Sequence, residues 1–157
     1  MRALFAFLLG LFLLLPADPG QAALEQADLT IETMAGLTLS FHVEIARTEK
    51  ERAQGLMYRD KLAPDAGMLF IYPTDRPVAF WMRNTLIPLD MLFIERDGTI
   101  FSIAERAVPL SEATIPSGGA IAAVLELNGG TVAHLGIRPG DRIRCEAMSS
   151  TQNDADE

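Results

Sequence analysis

Two carboxylates lie inside otherwise apolar runs: Asp90 between Leu89 and Met91, and Glu126 between Leu125 and Leu127. A carboxylate in such surroundings either protonates or finds a cation and hydrogen-bond donors. Arg52, Arg59 and Arg83 are the nearest candidate cations in sequence order, and guanidinium is the group shaped for a bidentate pair with carboxylate. The residues from Phe80 to Asp90 concentrate this chemistry, because Trp81, Arg83, Asn84 and Asp90 are crowded there between apolar neighbours. Such groups are costly to bury without partners. The plainer reading is an internal ion-pair network that fixes strand and loop register, since a buried pair is weak evidence for function. The functional reading is a pocket in which Arg52, Arg59, Trp81, Arg83, Asn84, Asp90 and Glu126 converge on a small polar or anionic ligand.

Other chemistries find little support. The chain has no Gly-x-Ser-x-Gly elbow, no paired cysteines or His-Glu-x-x-His zinc spacing, and no phosphate-cradling glycine loop opening a helix. No catalytic residue, metal or cofactor is therefore assigned. A triad from Ser117, His134 and an acid would have to meet in space rather than in sequence. Met57, Met68, Met82 and Met91 raise the question of copper(I), but most sit in strand-like apolar patterns where methionine fills cores. Cys145 stands alone and reads as an inert thiol with no evident base. His42 reads as an exposed strand histidine.

Arg2, the apolar run from Ala3 to Leu15, the breakers Pro16, Pro19 and Gly20, and the small residues Ala22 and Ala23 have the layout of a secretory signal peptide. As a helix the run reaches only about 20 Å, short of the roughly 30 Å hydrocarbon core. Residues 1–23 are expected to be cleaved, without a stable membrane anchor, leaving a periplasmic or secreted protein. Residues 24–148 make one domain, and Ser149 to Glu157 read as a disordered acidic tail. The formal net charge of -8 makes nucleic acid a poor partner.

These side chains have to be held by a mainly β framework. Leu37, Leu39, Phe41, Val43 and Ile45 alternate with polar residues, as on a half-buried strand, and Leu29 to Thr33 precede them as a hairpin partner across Met34-Ala35-Gly36. Thr48-Glu49-Lys50-Glu51 fits a capping box, so a short helix is predicted to Gln54, ended by Gly55 in the left-handed conformation. Strands follow over Gly67–Tyr72 and Val78–Arg83, separated by a turn across Pro73–Pro77. Alternation puts Trp81 with Arg83, opposite Phe80 and Met82, and core filling is the expected role of Trp81. Leu89–Glu95 and Thr99–Ala104 form a hairpin across Arg96-Asp97-Gly98 that is expected at the sheet centre. Glu105–Gly119 reads as a long loop, Ala120–Leu127 as a strand, Asn128 as the cap of a helix through His134, and Gly136 as its end. Arg138-Pro139-Gly140-Asp141 suits a type II turn before a last strand over Ile143–Ala147. The expected fold is α+β, mainly antiparallel β, with a small barrel- or sandwich-like core and one or two short helices.

The segments Glu51 to Arg59, Gly67-Met68-Leu69-Phe70, Phe80 to Thr85, Ile87-Pro88-Leu89-Asp90, Val124 to Leu127 and Gly136 to Asp141 occur in that order. Together they resemble the bacterial and archaeal family catalogued as domain of unknown function 192. Arg83 stands where that family more often carries lysine. The resemblance implies a compact, β-rich, frequently exported domain and brings no activity, substrate or cofactor. The leading functional reading is an exported binding module for a small polar or anionic ligand or an envelope protein. The alternatives are a hydrolase using Asp90 or Glu126 as general acid or base, and a structural accessory protein with no small-molecule site.

Overall fold

A computed structural model describes residues 23–153, with side chains to Ser149. Residues 1–22 of the expected leader and the last four residues lie outside the described residues. The chain runs β1 (Glu25–Glu32), β2 (Thr38–Ala46), α1 (Glu49–Gln54), β3 (Ala66–Phe80), β4 (Leu89–Ile94), β5 (Ile100–Ala107), β6 (Ile115–Asn128), α2 (Thr131–Leu135), β7 (Arg142–Arg144) and α3 (Glu146–Asn153). The seven strands form one sheet in the order β5-β4-β6-β3-β2-β1-β7. Only the β2–β3 pair is parallel, and the remaining named pairs are antiparallel. The class is therefore α+β with a mostly antiparallel, curled sheet. Its curl brings the two ends of the strand order together. Thr99 bridges Arg142, the Ile100 amide donates to the Asp141 carbonyl at 2.9 Å, and the Ile143 amide donates to the Gly98 carbonyl at 2.8 Å.

Strand alternation sorts the core into two clusters. Leu29, Ile31, Phe41, Val43, Ile45, Leu69, Ile71, Leu92, Ile94 and Leu125 pack together inside the curl. The other face of β3, β4 and β6 carries Met68, Phe70, Tyr72, Met91, Phe93 and Val124, and is covered by Leu56 after α1 and by Met82 beyond β3. β4 and the stretches 67–72 of β3 and 121–127 of β6 are thus buried on both faces, which explains why these stretches are nearly continuous apolar runs. Gly67 permits the close β3–β6 contact, since a Cβ there would lie 2.7 Å from the Glu126 carbonyl oxygen.

The predicted β1–β2 hairpin forms, as does α1 with both hydrogen bonds of its capping box. Gly55 ends α1 with φ 48° and ψ -136°, a positive φ outside the left-handed helical region. Other expectations need correction. The turn across Pro73–Pro77 lies within continuous β3, where the register jumps between Ile71 and Arg76. Pro73 falls in this exposed bulge, where no ladder donor is required of it, and Pro77 stands opposite Ala120 just before a second register shift. The long loop shrinks to residues 108–114, since β5 runs to Ala107 and β6 starts at Ile115. In the strand order β4 is interior but β5 is terminal. Asn128 does not cap α2: Gly130 does, and the Asn128 amide donates to the Leu62 and Ala63 carbonyls. The last strand is limited to Arg142–Arg144, and part of the supposed tail is helical in α3.

Candidate functional site

Asp90 and Glu126 lie on opposite faces. In β4, Asp90 shares its side with Leu92 and Ile94, which belong to the inner cluster. Glu126 shares its side with Val124 and stands opposite Met68 in β3 and Met91 in β4. They therefore do not form one site.

Asp90 is fully buried, and the arginine partner expected for it is replaced by backbone. Oδ1 accepts from the Arg106 amide at 2.8 Å, both oxygens accept from the Gly130 amide at 2.9–3.0 Å, and Oδ2 accepts from the Val132 amide at 2.8 Å. The carboxylate thereby satisfies free amides at the start of α2 and ties that helix to β4 and β5. This geometry makes Asp90 a structural anchor.

Glu126 has the opposite character. It is 4% exposed, and among the described residues its carboxyl group has no hydrogen-bond or ion-pair partner. Its oxygens are not sealed in the core but reach a cleft of about 310 Å³. Burial alone pushes its pKa up to about 8, so at neutral pH it is mainly a neutral acid and a hydrogen-bond donor. The cleft is walled by Phe70, Tyr72 and Phe80, with Arg52, Thr85 and Trp81 around it. Phe70 and Phe80 meet edge to face with centroids 5.2 Å apart. No other carboxylate lines this cleft among the described residues.

Arg52 projects from α1 over the Tyr72 ring, 5.0 Å from its centroid. Its Nη1 donates to the Arg47 and Ile71 carbonyls, the latter at 3.0 Å. Burial raises the Tyr72 pKa, opposed by the charges of Arg52 and Arg76 and reinforced by Glu126. Arg59 instead makes a bidentate pair with Glu44 at 2.5 and 2.6 Å, outside this cleft. Arg83 approaches Glu112 at 3.8 Å and lies 5.5 Å from the Trp81 ring centroid. None of the three arginines pairs with Asp90 or Glu126.

Trp81 is 48% exposed, so it is a rim residue and not the core filler expected of it. It follows the last residue of β3, yet the alternation read from the sequence persists, with Met82 buried and Trp81 and Arg83 exposed. Asn84 helps fix the rim. It adopts φ 57°, Tyr58 adopts φ 64° and Leu110 φ 61°. The Tyr58 amide donates to the Asn84 carbonyl at 2.9 Å, and the Leu110 amide donates to the Thr85 carbonyl at 3.0 Å. Asparagine tolerates this conformation better than tyrosine or leucine. Strained backbone persists only where its surroundings over-determine it, and these bonds supply such a frame beside the cleft.

The structure thus brings Arg52, Trp81 and Glu126 to one cleft, with Asn84 in its supporting loop, and leaves Arg59, Arg83 and Asp90 to other contacts. Sequence reasoning missed Phe70, Tyr72, Phe80 and Thr85. The shared parity of Met68, Phe70 and Tyr72 was available, but nothing local says that β6 pairs with β3 so as to aim Glu126 at that face. Ser117 is engaged with backbone, accepting from the Val78 amide and donating to the Gly119 carbonyl, and no hydrogen bond joins it to His134. Cys145 is a buried free thiol whose pKa is pushed up chiefly by burial. Among the described residues no acid, histidine or cysteine cluster suits a metal ion, and no helix is long and apolar enough to cross a membrane.

The site is therefore one isolated acid presented by a curled sheet to an aromatic cleft. The model for domain of unknown function 192, described as an uncharacterised ACR, matches residues 30–145, and the chain belongs to that family. It is similar to a solved structure from Sinorhizobium meliloti 1021, described as a proposed transcription regulator, with 50% identity and a TM-score of 0.79, covering 81% of this chain and 98% of that one. It is also similar to a protein of unknown function from Novosphingobium aromaticivorans DSM 12444, with 41% identity and a TM-score of 0.76, covering 84% and 94% of the two chains. Comparison with curated proteins gives no match.

Proposed function

We propose that this protein is a small exported binding module, acting in the periplasm or outside the cell, whose aromatic cleft takes a small polar or anionic ligand. The observation that carries the reading is Glu126: a buried, unpartnered carboxyl group open to the cleft. A buried polar group without a partner is costly, and a ligand that completes its hydrogen bonding recovers that cost. The cleft volume of about 310 Å³ is at the small end of ligand sites and suits a molecule of about one ring. Regulation of transcription, the description attached to the Sinorhizobium relative, finds no support in a chain of net charge -8, because phosphate contacts need cations.

The same residue favours a second reading, a hydrolase with Glu126 as general acid. A carboxyl pKa near neutrality is what such catalysis requires. The cleft lacks the second carboxylate of ordinary glycoside hydrolysis, so binding is preferred. Native mass spectrometry of mature protein purified gently from its own compartment tests the reading. The expected result is a retained small molecule that is lost in Ala79→Trp, a substitution that fills the cleft from its wall. Retention unaffected by that change would put the ligand elsewhere. A wild type that carries no ligand and binds nothing in a metabolite screen would refute the module. A Glu126→Gln variant that still binds but no longer turns a ligand over would replace binding with catalysis.

A further inference from the structure

We propose that the ligand is a small organic carboxylate with a flat or apolar flank, its carboxylate held by Arg52 and by a hydrogen bond donated from Glu126. This rests on the cleft being a ligand site and adds the chemical class of its occupant. Arg52 uses Nη1 on two backbone carbonyls, and among the described residues Nε and Nη2 have no acceptor. Those two nitrogens form the edge of guanidinium that grips a carboxylate with parallel hydrogen bonds. The carbonyl contacts and the stacking on Tyr72 hold the guanidinium in one orientation, which leaves little ordering to be done on binding.

The remaining groups around Glu126 fit the same polarity. Tyr72 faces it from β3 and Arg52 lines the cleft from α1, while Arg76 is close enough to Tyr72 to act on it. On the same face β4 contributes Met91 opposite Glu126 and Phe93 beyond it, both apolar. With Glu126 protonated, Arg52 is the one charged side chain lining the cleft among the described residues, which favours an oxyanion and opposes an ammonium group. Phe70, Phe80 and the exposed ring of Trp81 supply the apolar surface for the flank.

Benzoate, benzyl alcohol and benzylamine are probes that share one ring and differ in the group presented. Ligand-observed NMR titration of the mature protein should rank benzoate at least tenfold above benzyl alcohol, with benzylamine the weakest. Benzoate affinity should fall about tenfold from pH 7 to pH 9, because a donor with a pKa of about 8 is mostly lost over that interval. Glu126→Gln keeps a donor that does not titrate and should flatten the profile. Arg52→Gln should lose tenfold or more, and Arg52→Lys, which keeps charge without the fork, should fall between; circular dichroism checks that each variant is folded. Benzylamine binding best and tightening as pH rises would overturn the carboxylate assignment while leaving the cleft as a site. Equal affinity for benzoate and benzyl alcohol would do the same. Failure of all three probes would overturn it too, and the native mass measurement on wild type would then separate a wrong ligand class from a cleft that binds nothing.

Discussion

At the residue scale the two buried carboxylates illustrate two fates of one chemical group. Asp90 receives three backbone amides, whereas Glu126 receives none. Replacing Asp90 with asparagine turns one acceptor into a donor facing buried N–H groups, and leaves at least one amide unsatisfied. The expected cost is roughly 2–4 kcal/mol, measured by chemical denaturation, with ligand content unchanged. Glu126 carries a pH signature. Its folded pKa of about 8 lies above the ordinary value of 4.5, so the folded state holds the extra proton between those limits. The stability that this contributes is full below about pH 4.5 and is lost as pH rises through about 8, at no more than about 1.4 kcal/mol per pH unit. Denaturation of wild type and Glu126→Gln across pH 5 to 9 should therefore show wild type losing stability relative to the variant as pH rises. The presence of both carboxylates in apolar runs was legible in the sequence. Their separation onto opposite faces depends on strand pairing, which no local pattern encodes.

Elements differ in how much of their position is written locally. The capping box of α1 was readable because Thr48 and Glu51 satisfy each other's amides within one turn. The cap of α2 was not readable, because its acceptor is Asp90, distant in the chain. Likewise the prolines after Tyr72 announce a turn by composition, yet pairing with β6 carries the strand through them as a bulge. Burial energy alone places Trp81 inside, whereas the chain exposes it at a rim and buries Met82 next to it. For α1 the consequence is testable. The helix buries no residue of its own, so its cap is a major support, and it carries Arg52 to the cleft. Thr48→Ala should cost about 1 kcal/mol and speed amide exchange around Arg52, read by hydrogen-exchange mass spectrometry. Unchanged exchange there would mean that the carbonyl contacts of Arg52 hold the segment without the cap.

For the whole molecule, the curl matters because it buries β4 and the adjoining stretches of β3 and β6 on both faces, with the inner cluster on one side and the cleft on the other. The seam where β5 meets β7 keeps that curl. Gly98 sits there with φ 90°, and a Cβ would lie 2.3 Å from the Ile143 carbonyl oxygen. Gly98→Ala combines backbone strain with an overlap that only seam movement relieves. It should lower stability by about 2–3 kcal/mol in denaturant titration, without shifting the order of ligand preference. The mainly antiparallel α+β class was legible from period-two patterning, but the strand order and the parallel β2–β3 pair follow from contacts far apart in sequence. The central claim at this scale is that the fold presents one isolated acid to an open cleft. A carbon-13 NMR titration of the glutamate carboxyl carbons in ligand-free protein, with Glu126 assigned by comparison with Glu126→Gln, tests it most directly. A midpoint near 8 is the result expected, and a midpoint in the ordinary carboxylate range around 4.5 would contradict the account, since Glu126 would then be solvated or paired.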